Sequence, residues 1–259
     1  MRRTVKMPEK LLTADDQEPS SRSRKVLLEL EEVDTGYGKK QILFGVSLKV
    51  DQGEIVALIG SNGSGKSTTL KVTFGLLPTW RGRILIAGVP IQETSPTDNI
   101  IRGMSFAPQG GRVFDNLTVL ENLELGGLHL RKTLRRQHIE KIFHLFPLLA
   151  ERSKDIAGNL SGGQQQTLAL GRSLVCDPTL LLLDEPSLGL SPTGVSATFE
   201  QISQINRQLG TTILIVEQKV RAVLTLCDRV YGFKLGKCVF CQTPDELRTH
   251  DDRLKKLFL

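Results

Sequence analysis

The apolar positions of the chain follow two patterns that occupy different regions. Short, almost entirely apolar runs at residues 54–59, 180–183 and 212–216 predict buried strands of a parallel sheet. Between residues 117 and 161 apolar positions recur at helical spacing instead, as at Ile139 and Ile142. This second region contains no strand-like run, so we predict a helical subdomain, at about residues 110–160, inserted into an α/β core.

A second group of strands is predicted ahead of the first buried strand. Residues 25–33 and 42–50 read as strands, and residues 83–91 read as a hairpin, which together predict an N-terminal antiparallel β-layer. Residues 1–24 are polar and predict a flexible tail. The Thr-Pro pair at Thr243 and Pro244 predicts the start of a terminal helix. The expected divisions are therefore 1–24, 25–245 and 246–259.

The strand at residues 54–59 runs directly into a glycine-rich loop and then a helix. The loop has the G-x-x-x-x-G-K-[ST] spacing of a phosphate-binding loop, for which we estimate a chance occurrence of roughly one in a hundred. Its backbone N–H groups would cradle a polyphosphate, Lys66 would reach the β and γ phosphates, and Ser67 would bind Mg²⁺. The predicted fold is therefore that of a P-loop NTPase with a RecA-like core. The motif consists of Gly60, Ser61, Asn62, Gly63, Ser64, Gly65, Lys66, Ser67 and Thr68.

The strand at residues 180–183 ends in two carboxylates, Asp184 and Glu185. At the carboxyl end of a strand beside a phosphate loop, Asp184 can hold Mg²⁺ directly or through water. Glu185 can polarise the water that attacks a phosphate. Without the loop upstream, the same residues would be equally typical of a buried strand that ends in solvated acids.

A third motif, Leu160-Ser161-Gly162-Gly163-Gln164, lies at the end of the helical region. It has the spacing of an S-x-x-Q capping box, and a helix cap alone would explain it. However, an exposed helix start with small residues can also receive a phosphate. We therefore treat Ser161, Gly162, Gly163 and Gln164 as candidate phosphate contacts.

Composition excludes several other classes of function. The net charge of +6 over 259 residues is mild and dispersed, and the basic residues lack interleaved aromatics, so we expect no nucleic-acid partner. No apolar run is long enough to span a bilayer, and the N-terminus lacks the apolar segment of a secretory signal, so we expect a cytoplasmic protein. Cys238 and Cys241 have C-x-x-C spacing, but in a regular strand they would point to opposite faces. We therefore predict that Cys176, Cys227, Cys238 and Cys241 are buried or half-buried thiols and form no zinc or redox site.

Taken in order, the phosphate loop, Gln109, the Ser161 motif and the acid-ended strand resemble the nucleotide-binding subunits of ABC transporters over about residues 25–240. The resemblance implies that two such domains pack head to tail, with each ATP held between one chain's phosphate loop and the partner's Ser161 motif. Ser161 and Gly163 would then bind the γ-phosphate across the interface. Gln109 would touch the metal and the water, and would couple to a membrane subunit. Tyr37 matches the aromatic residue that stacks on adenine, although packing in the β-layer would also explain it.

Residues 109–114, 121–123, 187–190 and 216–218 resemble more closely the ATPases that import branched-chain and other neutral amino acids. This likeness implies transmembrane permease subunits, a second ATP-binding subunit of the same or another kind, a solute-binding protein, and a peripheral position on the cytoplasmic face of the membrane. Urea-import ATPases are a related alternative. A soluble ABC ATPase that acts on nucleic acid or ribosomes is less favoured, and a GTPase or kinase would leave the Ser161 motif without a role.

The chain departs from the general ABC pattern at two positions. Ser191 stands where an aspartate is usual; it can cap the following helix but has no charge. Gln218 replaces the usual switch histidine, and its amide can donate a hydrogen bond but cannot become cationic. Because the amino-acid-import branch resembles this chain there, we keep Gln218 in the predicted catalytic set with Glu185 and Gln109.

Overall fold

The computed structural model describes residues 25–111, 113–249 and 257–258. The predicted tail, residues 1–24, lies outside the described residues, as does most of the predicted segment 246–259. The divisions at residues 24 and 245 stay a prediction.

Two sheets form the framework. The antiparallel sheet has the strand order β2-β1-β4-β5, and the larger sheet has six strands in the order β10-β9-β3-β8-β7-β6. Within the larger sheet the pairings are parallel, apart from the β9–β10 hairpin. The strands are β1 (Val26–Tyr37), β2 (Lys40–Asp51), β3 (Ile55–Gly60), β4 (Arg81–Ile86), β5 (Val89–Pro90), β6 (Met104–Ala107), β7 (Leu180–Asp184), β8 (Thr212–Val216), β9 (Arg229–Lys234) and β10 (Lys237–Gln242).

Helices cover both sides of the parallel sheet and fill the region between β6 and β7. Of the described residues from 113 to 160, none belongs to one of these strands, and one isolated bridge joins Thr118 to Ile156. The helices are α1 (Lys66–Thr73), α2 (Pro96–Ile101), α3 (Val119–Gly126), α4 (Lys132–Leu145), α5 (Pro147–Glu151), α6 (Gly162–Leu174), α7 (Pro192–Leu209), α8 (Val220–Val223) and α9 (Pro244–Thr249), with a 3-10 turn at Ala157–Asn159.

The central parallel strands β3, β7 and β8 are almost entirely apolar because both of their faces are covered. Along β3, Val56 and Leu58 pack into a core shared with the antiparallel sheet and α1, whereas Ala57 and Ile59 pack into a second core shared with the helical region. A strand buried on both sides cannot alternate apolar and polar residues. Its polar residues collect at its ends, which is where the candidate site residues lie.

Local capping signals account for several helix boundaries. Thr118 and Glu121 form the predicted capping box of α3, and Ser161 and Gln164 form that of α6. Helix α2 was not predicted, although Ser95 and Asp98 form a capping box there. Its apolar content is too low to give a periodic signal, so only the cap marks it.

The cysteine prediction was wrong in two respects. A bulge in β10 inserts one residue, Val239, between the pairings with Phe233 and Gly232, so Cys238 lies opposite Phe233 and Cys241 lies opposite Tyr231. Because Phe233 and Tyr231 belong to one core, the two cysteines share a face of the sheet instead of pointing apart. Cys241 is also exposed, whereas Cys176 and Cys238 are half-buried and Cys227 is buried. Burial raises the pKa of the Cys238 thiol to about 11.

Candidate functional site

The phosphate loop lies between the buried strand β3 and helix α1, with two glycines in positions that no other residue fits. Gly60 has φ 151°, and a Cβ there would lie 2.2 Å from the backbone oxygen of Phe233. Gly65 is the N-cap of α1 with φ 103°, and a Cβ there would lie 2.6 Å from Leu43. These close approaches explain why the loop needs glycine at both ends.

Lys66 is buried and turned back onto its own loop. Its Nζ donates to the backbone oxygens of Gly60 at 2.9 Å and Ser61 at 3.0 Å. Burial lowers the pKa of Lys66, while the nearby Glu185 and Asp184 carboxylates act in the opposite direction. A cation held inside the loop at the start of a helix makes this end of the site attractive to phosphate.

Ser67 and Asp184 form the oxygen-rich part of the site. The Ser67 hydroxyl donates to Oδ1 of Asp184 at 2.7 Å, joining the start of α1 to the carboxyl end of β7. Burial raises the pKa of Asp184, and the Ser67 hydrogen bond opposes that rise. Within the part of the chain that the structure describes, no group of three or more His, Cys, Asp or Glu side chains could hold a metal. The Ser67 hydroxyl and the Asp184 carboxylate nevertheless fit Mg²⁺, because this ion is usually bound by one or two protein oxygens and takes its other ligands from phosphate and water.

Glu185 is held by two amide side chains. Gln218 Nε2 donates to its Oε1 at 2.6 Å, and Gln109 Nε2 donates to its Oε2 at 2.8 Å. The Glu185 backbone has φ 48°, a left-handed conformation that is uncommon for a residue with a Cβ. The carboxylate is therefore fixed in place by donors from the loops that follow β6 and β8, the two strands that flank β7.

A cavity of about 390 Å³ joins these groups. Tyr37, 45% exposed, stands at its edge, and the Nζ of Lys71 lies 3.4 Å from the Tyr37 hydroxyl. Lys71 and Ile42 were not predicted as site residues. Lys71 lies one turn after Ser67 on α1, and that spacing was the only signal available for it. The cavity is lined by Tyr37, Ile42, Asn62, Gly63, Gly65, Lys66, Ser67, Thr68, Gln109, Glu185 and Gln218.

The remaining predicted residues lie outside that lining. Gly60, Ser61 and Ser64 form the back of the loop, and Asp184 reaches the cavity only through Ser67. The motif that begins at Ser161 is elsewhere: Ser161, Gly162, Gly163 and Gln164 are described by the structure but do not line the cavity. Ser161 and Gly162 are exposed, and a Cβ at Gly162 or Gly163 would meet nothing within 4 Å. One copy of the chain therefore does not bring this motif to its own phosphate loop.

Comparison with known proteins gives a consistent result. A family model described as ABC transporter matches residues 43–188. The high-affinity branched-chain amino acid transport ATP-binding protein BraG of Pseudomonas aeruginosa is 42% identical over 86% of this chain and 96% of its own length. The probable branched-chain amino acid transport ATP-binding protein LivF of Archaeoglobus fulgidus is 36% identical over 87% of this chain and 95% of its own. The lipopolysaccharide export system ATP-binding protein LptB of Haemophilus influenzae is 34% identical over 90% of this chain and 97% of its own length.

Solved structures agree with the fold. The ADP conformation of MJ1267, an ATP-binding cassette of an ABC transporter, matches with a TM-score of 0.83 and 26% identity over 90% of this chain and 98% of that one. A dimeric post-hydrolysis state of the cassette MJ0796, bound to ADP and Pi, matches with a TM-score of 0.73 and 25% identity over 84% of this chain and 99% of that one. The predicted α/β fold of a P-loop NTPase is thereby confirmed.

Proposed function

This chain belongs to the ABC transporter family as an ATP-binding, ATP-hydrolysing subunit, and on that premise we propose that it powers the import of branched-chain or other neutral amino acids. One observation carries the catalytic part of the proposal: Lys66, Ser67 and the doubly held Glu185 line one cavity, and Asp184 accepts the Ser67 hydrogen bond behind it. The cargo is supported by the relatives BraG and LivF, whose names specify branched-chain amino acids.

The proposed chemistry is transfer of the γ-phosphoryl group of ATP to water. Lys66 and the loop N–H groups bind the phosphates, and Tyr37 stacks on adenine at the edge of the cavity. Glu185 orients the attacking water and accepts its proton, while Gln109 and Gln218 keep the carboxylate directed into the cavity. Ser67, Asp184 and Gln109 would hold Mg²⁺, which when bound neutralises charge on the β and γ phosphates.

A second ATP-binding subunit is part of the proposal. The exposed start of α6 at Ser161, with open space beside Gly162 and Gly163, is suited to cover a phosphate held by another chain. The dimeric cassette with bound ADP and Pi supports this arrangement by similarity. ATP binding would close the pair, and hydrolysis with release would reopen it. The second subunit is either another copy or a related chain.

A groove beside the helical region is the proposed seat of the permease. It has a volume of about 380 Å³, and its rim carries the exposed side chains Phe114 and Leu128, 53% and 65% accessible. It ends near Gly111, two residues after Gln109, so a permease segment here would act on the Gln109–Glu185 bond. Phe74, Phe106, Leu125 and Ala169 form the apolar wall of the groove. The proposed location is the cytoplasmic face of the membrane, and the solute-binding protein would be reached through the permease.

Among the described residues, no helix combines the length and the apolar character needed to cross a bilayer.

The test combines an enzymatic and a transport assay. The chain purified in complex with its second ATP-binding subunit and permease should hydrolyse ATP. Lys66→Ala should bind no nucleotide, and Glu185→Gln should bind ATP without turnover. Cells that lack the chain should lose leucine uptake and regain it with the wild-type chain but not with Glu185→Gln. If leucine uptake is unaffected while urea uptake is lost, the amino-acid cargo is wrong and the importer assignment stands. Undiminished ATPase activity in Glu185→Gln would refute the catalytic assignment.

A further inference from the structure

The three consecutive residues after β8, Glu217 to Lys219, form hydrogen bonds with Glu185 and with the turn that follows it. Gln218 holds the Glu185 side chain at 2.6 Å. On one side of Gln218, Glu217 Oε1 accepts from the backbone N–H of Ser187 at 3.0 Å. On the other side, Lys219 Nζ donates to the backbone oxygen of Ser187 at 3.0 Å. The N–H and the carbonyl of Ser187 are thus both tied to the neighbouring loop.

Glu217 is buried, 1% exposed, and both of its oxygens accept backbone N–H groups. Its second oxygen accepts from the N–H of Gln218 at 3.1 Å. A buried carboxylate is costly unless its acceptors are satisfied, and here two amides from different loops satisfy it. One side chain therefore fixes the start of the Gln218 loop to the Ser187 turn.

The turn needs such support because of the backbone at Glu185. Its left-handed φ of 48° is disfavoured for a residue with a Cβ and persists only where the surroundings fix it. The backbone N–H of Leu188 donates to the backbone carbonyl oxygen of Glu185 at 3.1 Å, so Ser187 lies inside the same tight turn. Releasing Ser187 would let the Glu185 backbone relax toward an ordinary conformation and turn the carboxylate away from the cavity.

We propose that Glu217 and Lys219 are positioning residues for Glu185, which set the rate of ATP hydrolysis without contributing to ATP affinity. Neither residue lines the cavity, although the structure describes both. Each acts on Glu185 through the backbone of Ser187. The inference rests on the proposed function, in which Glu185 orients the attacking water.

The decisive variant is Lys219→Met, which keeps the length of the side chain and removes its donor. We expect kcat to fall about 3- to 10-fold, less than the full effect of losing one charge-assisted hydrogen bond because Lys219 is exposed and water would replace part of it, while the Kd for ATP stays within about twofold. Lys219→Arg retains a donor and should restore most of kcat. Arg221→Met is the matched control, because it removes an exposed cation two residues away and should leave kcat unchanged.

Glu217→Gln tests the other contact. A carboxamide offers one acceptor oxygen, so either Ser187 or Gln218 loses a partner, and kcat should fall at least as far as in Lys219→Met. Wild-type kcat in both variants would overturn the inference, and so would parallel losses of kcat and affinity or the failure of Lys219→Arg to restore activity. If Glu217→Gln does not fold, the exposed Lys219 decides the matter alone. Absence of ATPase activity from the wild-type chain in complex with its second ATP-binding subunit and permease would instead overturn the proposed function itself, and this inference with it.

Discussion

Replacing Gln218 by alanine removes one of the two amide donors on the Glu185 carboxylate. The bond is short, 2.6 Å between Nε2 and Oε1, and Glu185 is 6% exposed. A hydrogen bond to a charged group contributes about 1.5–3 kcal/mol. Gln218 is exposed, so water would replace part of what is lost, and Gln109 would still hold the other oxygen. We therefore take a value just below that range, about 1.4 kcal/mol, which corresponds to a tenfold loss of kcat.

The assay is steady-state ATP hydrolysis together with a separate measurement of ATP affinity. Gln218→Ala should lower kcat about tenfold and leave the Kd for ATP nearly unchanged, because Lys66 and the loop N–H groups are untouched. Gln218→Glu is a sharper companion: it has nearly the same shape but places a second negative charge against Glu185, so kcat should fall further.

Equal kcat in wild type and Gln218→Ala would refute the reasoning that this amide directs the carboxylate. A loss of affinity as large as the loss of kcat would refute it differently, because the amide would then be a binding contact.

Three other predictions follow from single contacts. Lys71→Met frees the Tyr37 hydroxyl and should weaken ATP binding a few-fold while leaving inorganic tripolyphosphate binding unchanged; equal losses for both ligands would place Lys71 on the phosphates. Asp184→Asn keeps an acceptor for Ser67 and removes a carboxylate whose pKa burial raises, so at pH 7 the melting temperature without nucleotide should rise by about 2–4 °C. That gain should shrink as pH falls below the raised pKa and vanish below the ordinary aspartate pKa, where the carboxyl is protonated in both the folded and the unfolded state; an equal gain at pH 3 would contradict it. Ser161→Glu should abolish ATP-dependent dimerisation yet leave ATP binding to the single chain intact, as measured by light scattering and equilibrium binding.

The apolar pattern predicted the framework because burial dictates it. Runs such as residues 180–183 and 212–216 are almost entirely apolar since both faces of their strands are covered, and the structure has β7 and β8 there. The phosphate loop was recognisable for the same kind of reason. Its spacing is fixed by local geometry, with glycine needed where a Cβ at Gly60 or Gly65 would collide with Phe233 or Leu43.

Contacts between distant segments could not be predicted in this way. Glu217 and Lys219 meet Ser187 across about thirty residues of chain, and nothing in the local pattern distinguishes a buried, doubly bonded Glu217 from a solvated one. The bulge in β10 is a similar case. One extra residue, Val239, reverses the facing of Cys241 relative to Cys238, and no turn residue or proline marks it.

The geometry separates the groups proposed to bind ATP from those proposed to govern its hydrolysis. Lys66 is buried and held by its own loop, and Ser67 is bonded to the buried Asp184, so this part is rigid within one chain. Gln109 and Gln218 are exposed on the loops after β6 and β8, where a permease or a second subunit could move them. Affinity should therefore be a property of the single chain, whereas turnover should depend on its partners.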